Sequence, residues 1–123
     1  MDPSIDAALS RGGVIDITTV GRRSGAPRRI EIVYHVIDGH VYISGMPGRP
    51  RDWLANMVAD PHFTFHLKRG VRADLPAVAI PITDPDQRTA IFTEIVKVWT
   101  NQTVAAMVAR SPLVEVTFPA LAA

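Results

Sequence analysis

Apolar and polar residues alternate over several stretches of this chain, and such alternation predicts β-strands that are buried on one face. The predicted strands are residues 14–20, which are rich in β-branched residues, 28–37, 40–45, 62–68 and 113–118. Residues 71–83 are a further candidate strand, which Pro76 and Pro81 restrict to an edge or a bend. Asp38 and Gly39 separate the second and third stretches and form a typical two-residue hairpin turn.

The hairpin around Asp38 and Gly39 has one apolar face and one mixed face. Counting back from the turn pairs Ile37 with His40 and alternates the two faces from there. The apolar face, which we expect to belong to the core, consists of Ile32, Tyr34, Val36, Val41 and Ile43. The mixed face carries Val33, His35, Tyr42 and Ser44. It is too polar for a core and too aromatic for bare solvent, which suggests either a wall that binds a ring or an interface between subunits.

Three segments have the residue spacing of amphipathic helices. Residues 51–58 form the first, with Pro50 near its first position and an apolar stripe of Trp53, Leu54, Met57 and Val58. The second begins at Asp84, a good N-cap followed by Pro85, and carries the stripe Ile91, Phe92, Ile95, Val96 and Trp99. Residues 101–110 are the third segment.

These elements define a fold class. Five or six mainly antiparallel strands are too many for a helical bundle, and their order does not alternate with helices as in a doubly wound sheet. We therefore predict a mainly β fold with helices, of the α+β class, in which a small barrel carries helices outside and at its openings. The length predicts a single domain, residues 1–123.

Composition narrows the possible functions. The chain has no cysteine, which excludes disulfides, thiol nucleophiles and Cys-ligated metal centres. Its formal net charge of +1 is too small to steer the whole molecule toward nucleic acid. No apolar run approaches the roughly 20 residues that span a bilayer, and the first residues lack the pattern of an export signal. We therefore expect a soluble, cytoplasmic protein.

Positive charge is concentrated in one turn, with Arg22 and Arg23 on one side and Arg28 and Arg29 on the other. Hairpin folding brings these pairs to one end of the sheet, where they repel each other unless an anion or carboxylates lie among them. Phosphate suits this position, because a guanidinium donates two parallel hydrogen bonds to it. A solvated basic turn is the alternative. We do not expect a nucleic-acid patch, because the turn has no aromatic residue to stack on a base.

A second feature that favours anions is the Gly/Pro-rich stretch of residues 44–53, which leads into the first predicted helix. N–H groups at a helix N-terminus attract an anion, and Arg49 and Arg51 add positive charge. The stretch contains neither a Walker A sequence nor a Gly-x-Gly-x-x-Gly motif. A plain connection between a strand and a helix is the alternative.

The segment ITTVGRRSGAPRR at residues 17–29, the Asp-Gly hairpin, and DWLANMVADPHFTFHL at residues 52–67 resemble the deazaflavin-dependent nitroreductase family. The resemblance covers residues 14–67, and beyond them only the order of elements agrees. Members of that family are flavin or deazaflavin oxidoreductases with a split β-barrel of the FMN-binding type. They bind coenzyme F420, a deazaflavin with a phosphate and a polyglutamyl lactate tail, and some transfer hydride to nitro compounds, quinones or enones.

The resemblance implies an oxidoreductase that uses coenzyme F420, with FMN as the less favoured alternative. It implies that the phosphate and tail approach Arg22, Arg23, Ser24 and Arg28. It also implies that the phosphate and the edge of the ring are held by Gly45, Met46, Arg49, Arg51 and Trp53.

The chain departs from the family pattern in two places. Many members have a lysine in a Ser-Lys-Gly-Gly-type loop, whereas residues 45–50 contain none, so Arg49 or Arg51 would have to replace it. The C-terminal half also lacks the tyrosines that some members use on the substrate side. The resemblance therefore does not identify the substrate of this chain.

Three functions remain open at this point. The first is hydride transfer from reduced coenzyme F420 to a small quinone, enone or nitro compound, with a proton from Tyr42, His35 or water. The second is a non-catalytic carrier of a lipid, fatty acid or flavin, with peripheral membrane contact, in which residues 91–99 and 104–109 line an apolar pocket. The third is a dimeric structural protein that contacts nucleic acid through residues 22–29. A homodimer is compatible with all three.

Metal and hydrolytic sites have weak support in the sequence. His62 and His66 share one strand face without an assigned carboxylate partner, which indicates exposed histidines rather than a metal site. Ser24 and Ser44 have no recognisable base, and the chain has no Gly-x-Ser-x-Gly motif. Neither feature changes the preference for a cofactor-dependent enzyme.

Overall fold

The computed structural model describes residues 2–121. Its strands are β1 Gly13–Val20, β2 Pro27–Ile37, β3 His40–Ser44, β4 His62–Leu67, β5 Ala73–Pro81 and β6 Leu113–Thr117. The helices are α1 Pro3–Leu9, α2 Asp52–Ala59, α3 Pro85–Ile95 and α4 Val104–Arg110, and a 3-10 turn covers Pro119–Leu121. The strands pair antiparallel and close into a barrel in the order β1-β2-β3-β6-β5-β4. The predicted barrel with helices is confirmed.

The barrel interior is filled by the inward side chains of every strand. Ile17, Ile43, Phe65 and Val114 are completely buried there, and Trp53 and Met57 of α2 join the same cluster. The predicted apolar hairpin face is part of this cluster, with Ile32 and Val36 partly buried. At one end of the barrel α1 docks through a hydrogen bond of 2.9 Å from Tyr34 Oη to the carbonyl of Ala8.

The barrel is incompletely paired on one side of β2. The hairpin register runs only from Ile37↔His40 to Tyr34↔Ile43, while residues 27–34 of β2 pair with β1. In the register of the described residues, β2 is therefore a free edge from Pro27 to Val33. The charged residues Arg28, Arg29 and Glu31 on this stretch oppose pairing with another strand. This unpaired stretch is an exposed strand edge in an otherwise closed barrel.

The mixed face of the hairpin is covered by the chain's own helices. His35 and Tyr42 are each 7% exposed and Ser44 is 1% exposed. Tyr42 packs in a second core cluster with Ile82, which follows β5, and with residues of α3, α4 and β6, namely Ile91, Phe92, Ile95, Met107 and Leu113. For His35, Tyr42 and Ser44 the expectation of a ring-binding wall or a subunit interface is wrong, because the chain's own helices cover them; Val33 stays partly exposed.

The apolar stripe on α3 packs in the same cluster. Phe92 and Ile95 are buried, and Val96 and Trp99 pack against the cluster. The stripe is core, and side chains fill the region where a fatty ligand would have to lie. Among the described residues no helix is both long and apolar enough to cross a membrane.

Several details differ from the sequence predictions. Helix α1 is an additional element; it starts at Pro3 with Asp2 accepting the N–H of Ser4 at 2.8 Å. Helix α2 starts one residue later than expected, with Arg51 as its N-cap, so Pro50 lies outside it. Val58 is 65% exposed and does not belong to the buried stripe.

Strand β5 is an interior strand of the barrel rather than an edge. Pro76 pairs with Thr64 of β4, at a position before the pairing with β6 begins. Pro81 pairs with Val114 of β6, at a position after the pairing with β4 has ended. Each proline therefore lies where β5 has one neighbour, so its missing N–H donor is tolerated.

Candidate functional site

The arginine-rich turn between β1 and β2 has a tightly closed backbone. The N–H of Gly21 donates to the carbonyl of Ala26, and the N–H of Gly25 donates to the carbonyl of Gly21, both at 2.8 Å. Ser24 Oγ accepts the N–H of Ala26 at 3.1 Å. A Cβ on Gly21 would lie 2.8 Å from Ser24 Oγ, and Gly25 has a φ of +71°. The turn therefore requires glycine at both positions.

Arg22 connects this turn to helix α2. Its backbone N–H and its Nη1 both donate to Asn56 Oδ1, at 3.1 and 2.9 Å, and its Nη2 forms an ion pair with Asp52 at 3.2 Å. Asn56 is 4% exposed and donates from Nδ2 to Thr19 Oγ1 at 3.1 Å. Asn56 fixes the position of the turn relative to α2.

The four arginines of the turn do not share one environment. Arg28 pairs with Thr19 and Arg29 with Thr18, so their side chains lie on opposite faces of β2. Arg29 forms an ion pair with Asp16 at 3.0 Å on the outer face. The expectation that both arginine pairs gather at one place is therefore wrong, and carboxylates neutralise Arg22 and Arg29. Within residues 2–121, the side chain of Arg28 makes no hydrogen bond or ion pair, and the side chain of Arg23 likewise makes none.

A cavity of about 480 Å³ lies between this turn and α2, beside the unpaired stretch of β2. We call it the arginine cleft. Its lining includes Arg22, Arg23, Ser24, Arg28, Trp53 and Asn56. The exposed apolar side chain of Ile30 lies on one wall, and Thr19 and Gly21 form part of the base. The cleft thus combines two unpaired guanidiniums with an apolar surface.

The loop from Gly45 to Arg51 is organised by an arginine of its own. Arg51 donates from Nη1 to the carbonyl of Arg49 at 2.9 Å and from Nη2 to the carbonyl of Met46 at 2.5 Å. A Cβ on Gly45 would lie 3.1 Å from Arg51 Nη2. Arg51 therefore shapes the loop, while the exposed side chain of Arg49 makes no hydrogen bond within residues 2–121.

Helix α2 lacks a side-chain cap. The other helices are capped by Asp2, Asp84 and Thr103, whose side chains accept an N–H of the first turn. No side-chain hydrogen bond caps α2 at Arg51. The first N–H groups of α2 therefore have no side-chain cap among the described residues, and they are potential donors to an anion.

The residues proposed from the sequence thus fall into two neighbouring groups. The arginine cleft brings together Arg22, Arg23, Ser24, Arg28 and Trp53. Arg49 and Arg51 instead border a second cavity of about 360 Å³, formed with the C-terminal end of α4. Gly45 and Met46 lie in the loop that Arg51 organises. The first turn of α2 separates the two cavities, since Trp53 lines one and Leu54 the other.

Sequence reasoning missed Asn56, Asp52 and Thr19 as parts of this arrangement. A signal for Asn56 was present, because it is a polar residue beside Met57 on the buried side of α2. Buried polar side chains need hydrogen-bond partners, and Asn56 finds them in the arginine-rich turn.

Of the two strand histidines that were expected to be exposed, His62 is exposed and His66 is not. His66 is buried rather than exposed, with Nε2 2.7 Å from Thr18 Oγ1 and Nδ1 2.6 Å from Asp74 Oδ1. The hydrogen bond with His66 lowers the pKa of Asp74. These three residues link β1, β4 and β5, and none of them lines the arginine cleft. No group of three side chains suited to metal binding occurs within residues 2–121.

The chain matches a known protein family. A model described as the F420H(2)-dependent quinone reductase family matches residues 4–118. A comparison with curated protein sequences found no significant match.

Comparison with solved structures supports the fold. A conserved hypothetical protein from Mycobacterium tuberculosis aligns with a TM-score of 0.72 and 19% identity over 96% of this chain and 81% of that chain. An F420-H2 dependent reductase aligns with a TM-score of 0.65 and 17% identity over 85% and 94% of the two chains. A FAD-binding protein from Mesorhizobium loti aligns with a TM-score of 0.61 and 14% identity over 96% and 90%. At these identities the similarity establishes a shared split-barrel fold.

Proposed function

This chain belongs to the F420H(2)-dependent quinone reductase family, and we propose that it transfers hydride from reduced coenzyme F420 to an electrophilic small molecule of the quinone, enone or nitro class. The family makes it an oxidoreductase with coenzyme F420 as its cofactor. The substrate class and the residues assigned to binding are our proposal.

The observation that carries the assignment of the binding site is the pair of unpaired guanidiniums in the arginine cleft. Arg22 and Arg29 have carboxylate partners, whereas Arg23 and Arg28 have none within residues 2–121. Two uncompensated like charges in one cleft repel each other, and a phosphate or carboxylate removes that repulsion while accepting charge-assisted hydrogen bonds. The phosphate and glutamyl tail of coenzyme F420 provide such anions, so the donor set fits the cofactor.

The uncapped N-terminus of α2 supports the same assignment. Its free N–H groups and the positive end of the helix dipole favour an anion beside Trp53. Asp52, in the first turn, is held by Arg22 and does not block the N–H groups with a cap. We propose that α2 and the arginine-rich turn hold the phosphate between them.

Arg49 is our choice for the residue that replaces the missing lysine of the family loop. Arg51 already donates to two carbonyls of its own loop, so its role is to position that loop. The side chain of Arg49 is exposed next to Gly48, whose N–H donates to the carbonyl of Arg110 at 3.2 Å. The backbone next to Arg49 is therefore held in place, and its guanidinium is free to contact the cofactor.

When bound, reduced coenzyme F420 supplies a hydride, and the acceptor gains that hydride together with one proton. The chain's own residues bind and orient the coenzyme and the acceptor. This role agrees with a site that is rich in arginine and poor in acid–base groups. Tyr42 and His35 lie under α3 and α4 rather than in the arginine cleft, and burial raises the pKa of Tyr42. We therefore assign delivery of the proton to water.

The carrier hypothesis has less support. The apolar stripe that a fatty ligand would occupy is packed against Met107 and Leu113 in the second core cluster. The carrier hypothesis also does not explain why two arginine side chains without partners lie beside the uncapped N-terminus of α2. Native mass spectrometry of the protein as isolated provides the comparison, since a carrier would retain acyl chains and a cofactor-dependent reductase would not.

The experiment that tests the proposed function has a binding arm and a turnover arm. Purified protein is titrated with coenzyme F420 while the fluorescence of the coenzyme is followed, with FMN in a parallel titration. We expect saturation at micromolar coenzyme F420 and weaker binding of FMN. Reduced coenzyme and menadione are then mixed with the protein, and the coenzyme should be oxidised as menadione becomes its hydroquinone. An absence of saturable binding would refute the proposed function.

A further inference from the structure

The cavity of about 360 Å³ between the loop of residues 45–51 and the C-terminal end of α4 carries uncompensated positive charge. Three arginines line it, Arg49, Arg51 and Arg110, and none of the described residues in its lining is acidic. Asp52, which follows Arg51 directly, lines the arginine cleft instead. We call this second cavity the Arg110 cavity.

The guanidinium of Arg110 is not occupied by a structural role. A basic side chain in the last turn of a helix commonly interacts with the last carbonyls of that helix. Three of these carbonyls in α4 already have donors. Arg88 donates to the carbonyls of Met107 and Val108, at 3.3 and 2.9 Å, and the N–H of Gly48 donates to the carbonyl of Arg110 at 3.2 Å. The side chain of Arg110 is exposed and makes no hydrogen bond or ion pair within residues 2–121.

The backbone brings Arg49 and Arg110 to the same place. Gly48, whose N–H bonds to the carbonyl of Arg110, is the chain neighbour of Arg49. Arg51 Nη1 holds the carbonyl of Arg49 at 2.9 Å. Two guanidiniums in one cavity repel each other, and a carboxylate between them removes that repulsion while accepting charge-assisted hydrogen bonds. The Arg110 cavity therefore favours an anion.

The position of the Arg110 cavity relative to the arginine cleft indicates which anion it takes. Only the first turn of α2 separates the two, since Trp53 lines the cleft and Leu54 lines the Arg110 cavity. A helix with its side chains is about 10 Å wide, and an extended peptide advances about 3.5 Å per residue. An acidic peptide of about three or more residues, held at one end in the arginine cleft, is long enough to reach Arg110.

We infer that the Arg110 cavity binds a distal carboxylate of the glutamyl tail of coenzyme F420, through Arg49 and Arg110. The inference rests on the proposed function and adds a second point of attachment to it. The phosphate stays between the arginine-rich turn and α2, while the tail passes the first turn of α2 toward α4. The length of the tail then affects affinity, and FMN, which has no such tail, gains nothing from this cavity.

The test compares coenzyme F420 with one glutamyl residue and with five in a fluorescence titration. Both forms carry the same ring and phosphate, and only the longer tail reaches Arg110. Kd is measured for the unsubstituted protein, for Arg110→Glu, and for Arg72→Glu as a matched control at an exposed arginine that lines neither cavity.

Arg110→Glu should weaken binding of the longer form about tenfold, because the substitution replaces an attraction with a repulsion. The Kd of the shorter form should change less than about twofold in this variant. Arg72→Glu should change the Kd of both forms by less than about twofold, since it alters the net charge equally but lies outside both cavities. The loss in Arg110→Glu should shrink at high salt.

A second measurement does not depend on a variant. The backbone amide signals of Gly48 and Arg110 are followed by ¹⁵N NMR in the unsubstituted protein while each form is added. They should shift at saturation with the longer form and stay nearly unchanged with the shorter one, whereas the signals of Arg23 and Ser24 should shift with both.

The outcomes separate this inference from the proposed function. If both forms bind but Arg110→Glu weakens them equally or weakens neither, the inference is overturned and the proposed function stands. Unchanged signals of Gly48 and Arg110 at saturation with the longer form also overturn it. If neither form binds to the unsubstituted protein, the proposed function fails and the inference fails with it.

Discussion

Arg22 and Asn56 are joined by two hydrogen bonds to one oxygen: Asn56 Oδ1 accepts the backbone N–H of Arg22 at 3.1 Å and its Nη1 at 2.9 Å. The same amide donates to Thr19 Oγ1 at 3.1 Å. One buried side chain on α2 therefore sets the position of the arginine-rich turn. The cleft is preorganised by this contact rather than by the arginines themselves, which would repel each other.

Replacement of Asn56 by alanine should destabilise the protein by about 2–4 kcal/mol, because it leaves a backbone N–H and a buried hydroxyl without partners. Urea unfolding measures the effect. Asn101→Ala is the matched control, since Asn101 is exposed in a turn and its replacement should cost less than about 0.5 kcal/mol. Equal stability of the two variants would show that Asn56 does not anchor the turn.

Arg88 holds α3 to α4 and to the segments that follow β5 and α4, through a cluster of backbone carbonyls. Its guanidinium donates to Ile82, Met107, Val108 and Ser111, with distances of 2.6–3.3 Å, and it lies 5.2 Å from the ring centre of Phe92. Lysine keeps the charge but cannot reach several carbonyls at once. Arg88→Lys should therefore cost about 2–4 kcal/mol in the free energy of unfolding.

The control for Arg88 is Arg72→Lys, at an exposed arginine for which no hydrogen bond or ion pair is present within residues 2–121. That change should leave the urea midpoint nearly unaltered. A loss in Arg88→Lys no larger than that in Arg72→Lys would contradict the role of Arg88 as the link between α3 and α4.

His35 should make stability depend on pH. Its folded-state pKa of about 4 lies below the ordinary value of 6.5, so the unfolded chain binds the proton more tightly. The contribution to stability is complete above pH 6.5, falls as the pH is lowered, and levels off below the folded pKa. The difference between the two pKa values corresponds to a loss of about 3 kcal/mol.

Urea unfolding of the unsubstituted protein and of His35→Phe between neutral and acidic pH measures this effect. The variant retains the charged residues that border the same cavity as His35, so their titration is common to both proteins. They are Arg11, Asp38, Glu94 and Lys97. The stability of His35→Phe should fall less on acidification. The same pH dependence in both proteins would show that His35 is not neutral and desolvated in the fold.

Local signals in the sequence predicted the barrel strands well. Asp38 and Gly39 have φ values of 51° and 79°, the conformation that a tight hairpin requires, and the predicted pairing of Ile37 with His40 is confirmed. The N-cap of α3 is also confirmed, because Asp84 Oδ2 accepts the N–H of Gln87 at 2.9 Å. These features depend on residues close together in the chain, and a single sequence carries that information.

Features that depend on distant contacts were not accessible from the pattern. The burial of Tyr42 depends on α3 and α4 folding back across β3, which no local spacing encodes. The separation of Arg28 from Arg29 follows from strand alternation, but the carboxylate that neutralises Arg29 comes from Asp16 on another strand. Helix α1 has only seven residues, and its docking through Ala8 depends on the hydroxyl of Tyr34.

The central claim is that the arginine cleft recognises the phosphate or tail of coenzyme F420, and Arg28 tests it most directly. Arg28, at the start of β2, and Arg69, in a turn, are both exposed arginines, and neither side chain has a hydrogen-bond or ion-pair partner within residues 2–121. Only Arg28 lines the arginine cleft, whereas Arg69 borders a separate cavity. Their alanine variants are therefore a matched pair.

The measurement is Kd for coenzyme F420 in the unsubstituted protein, Arg28→Ala and Arg69→Ala, at low and high salt. Loss of a charge-assisted contact of about 1.5–3 kcal/mol should weaken binding roughly tenfold to hundredfold in Arg28→Ala, and the difference should shrink with salt. Arg69→Ala should bind nearly as tightly as the unsubstituted protein, and Tm should stay nearly constant in both. Equal losses in the two variants, or an unchanged Kd in Arg28→Ala, would contradict the assignment of the cleft.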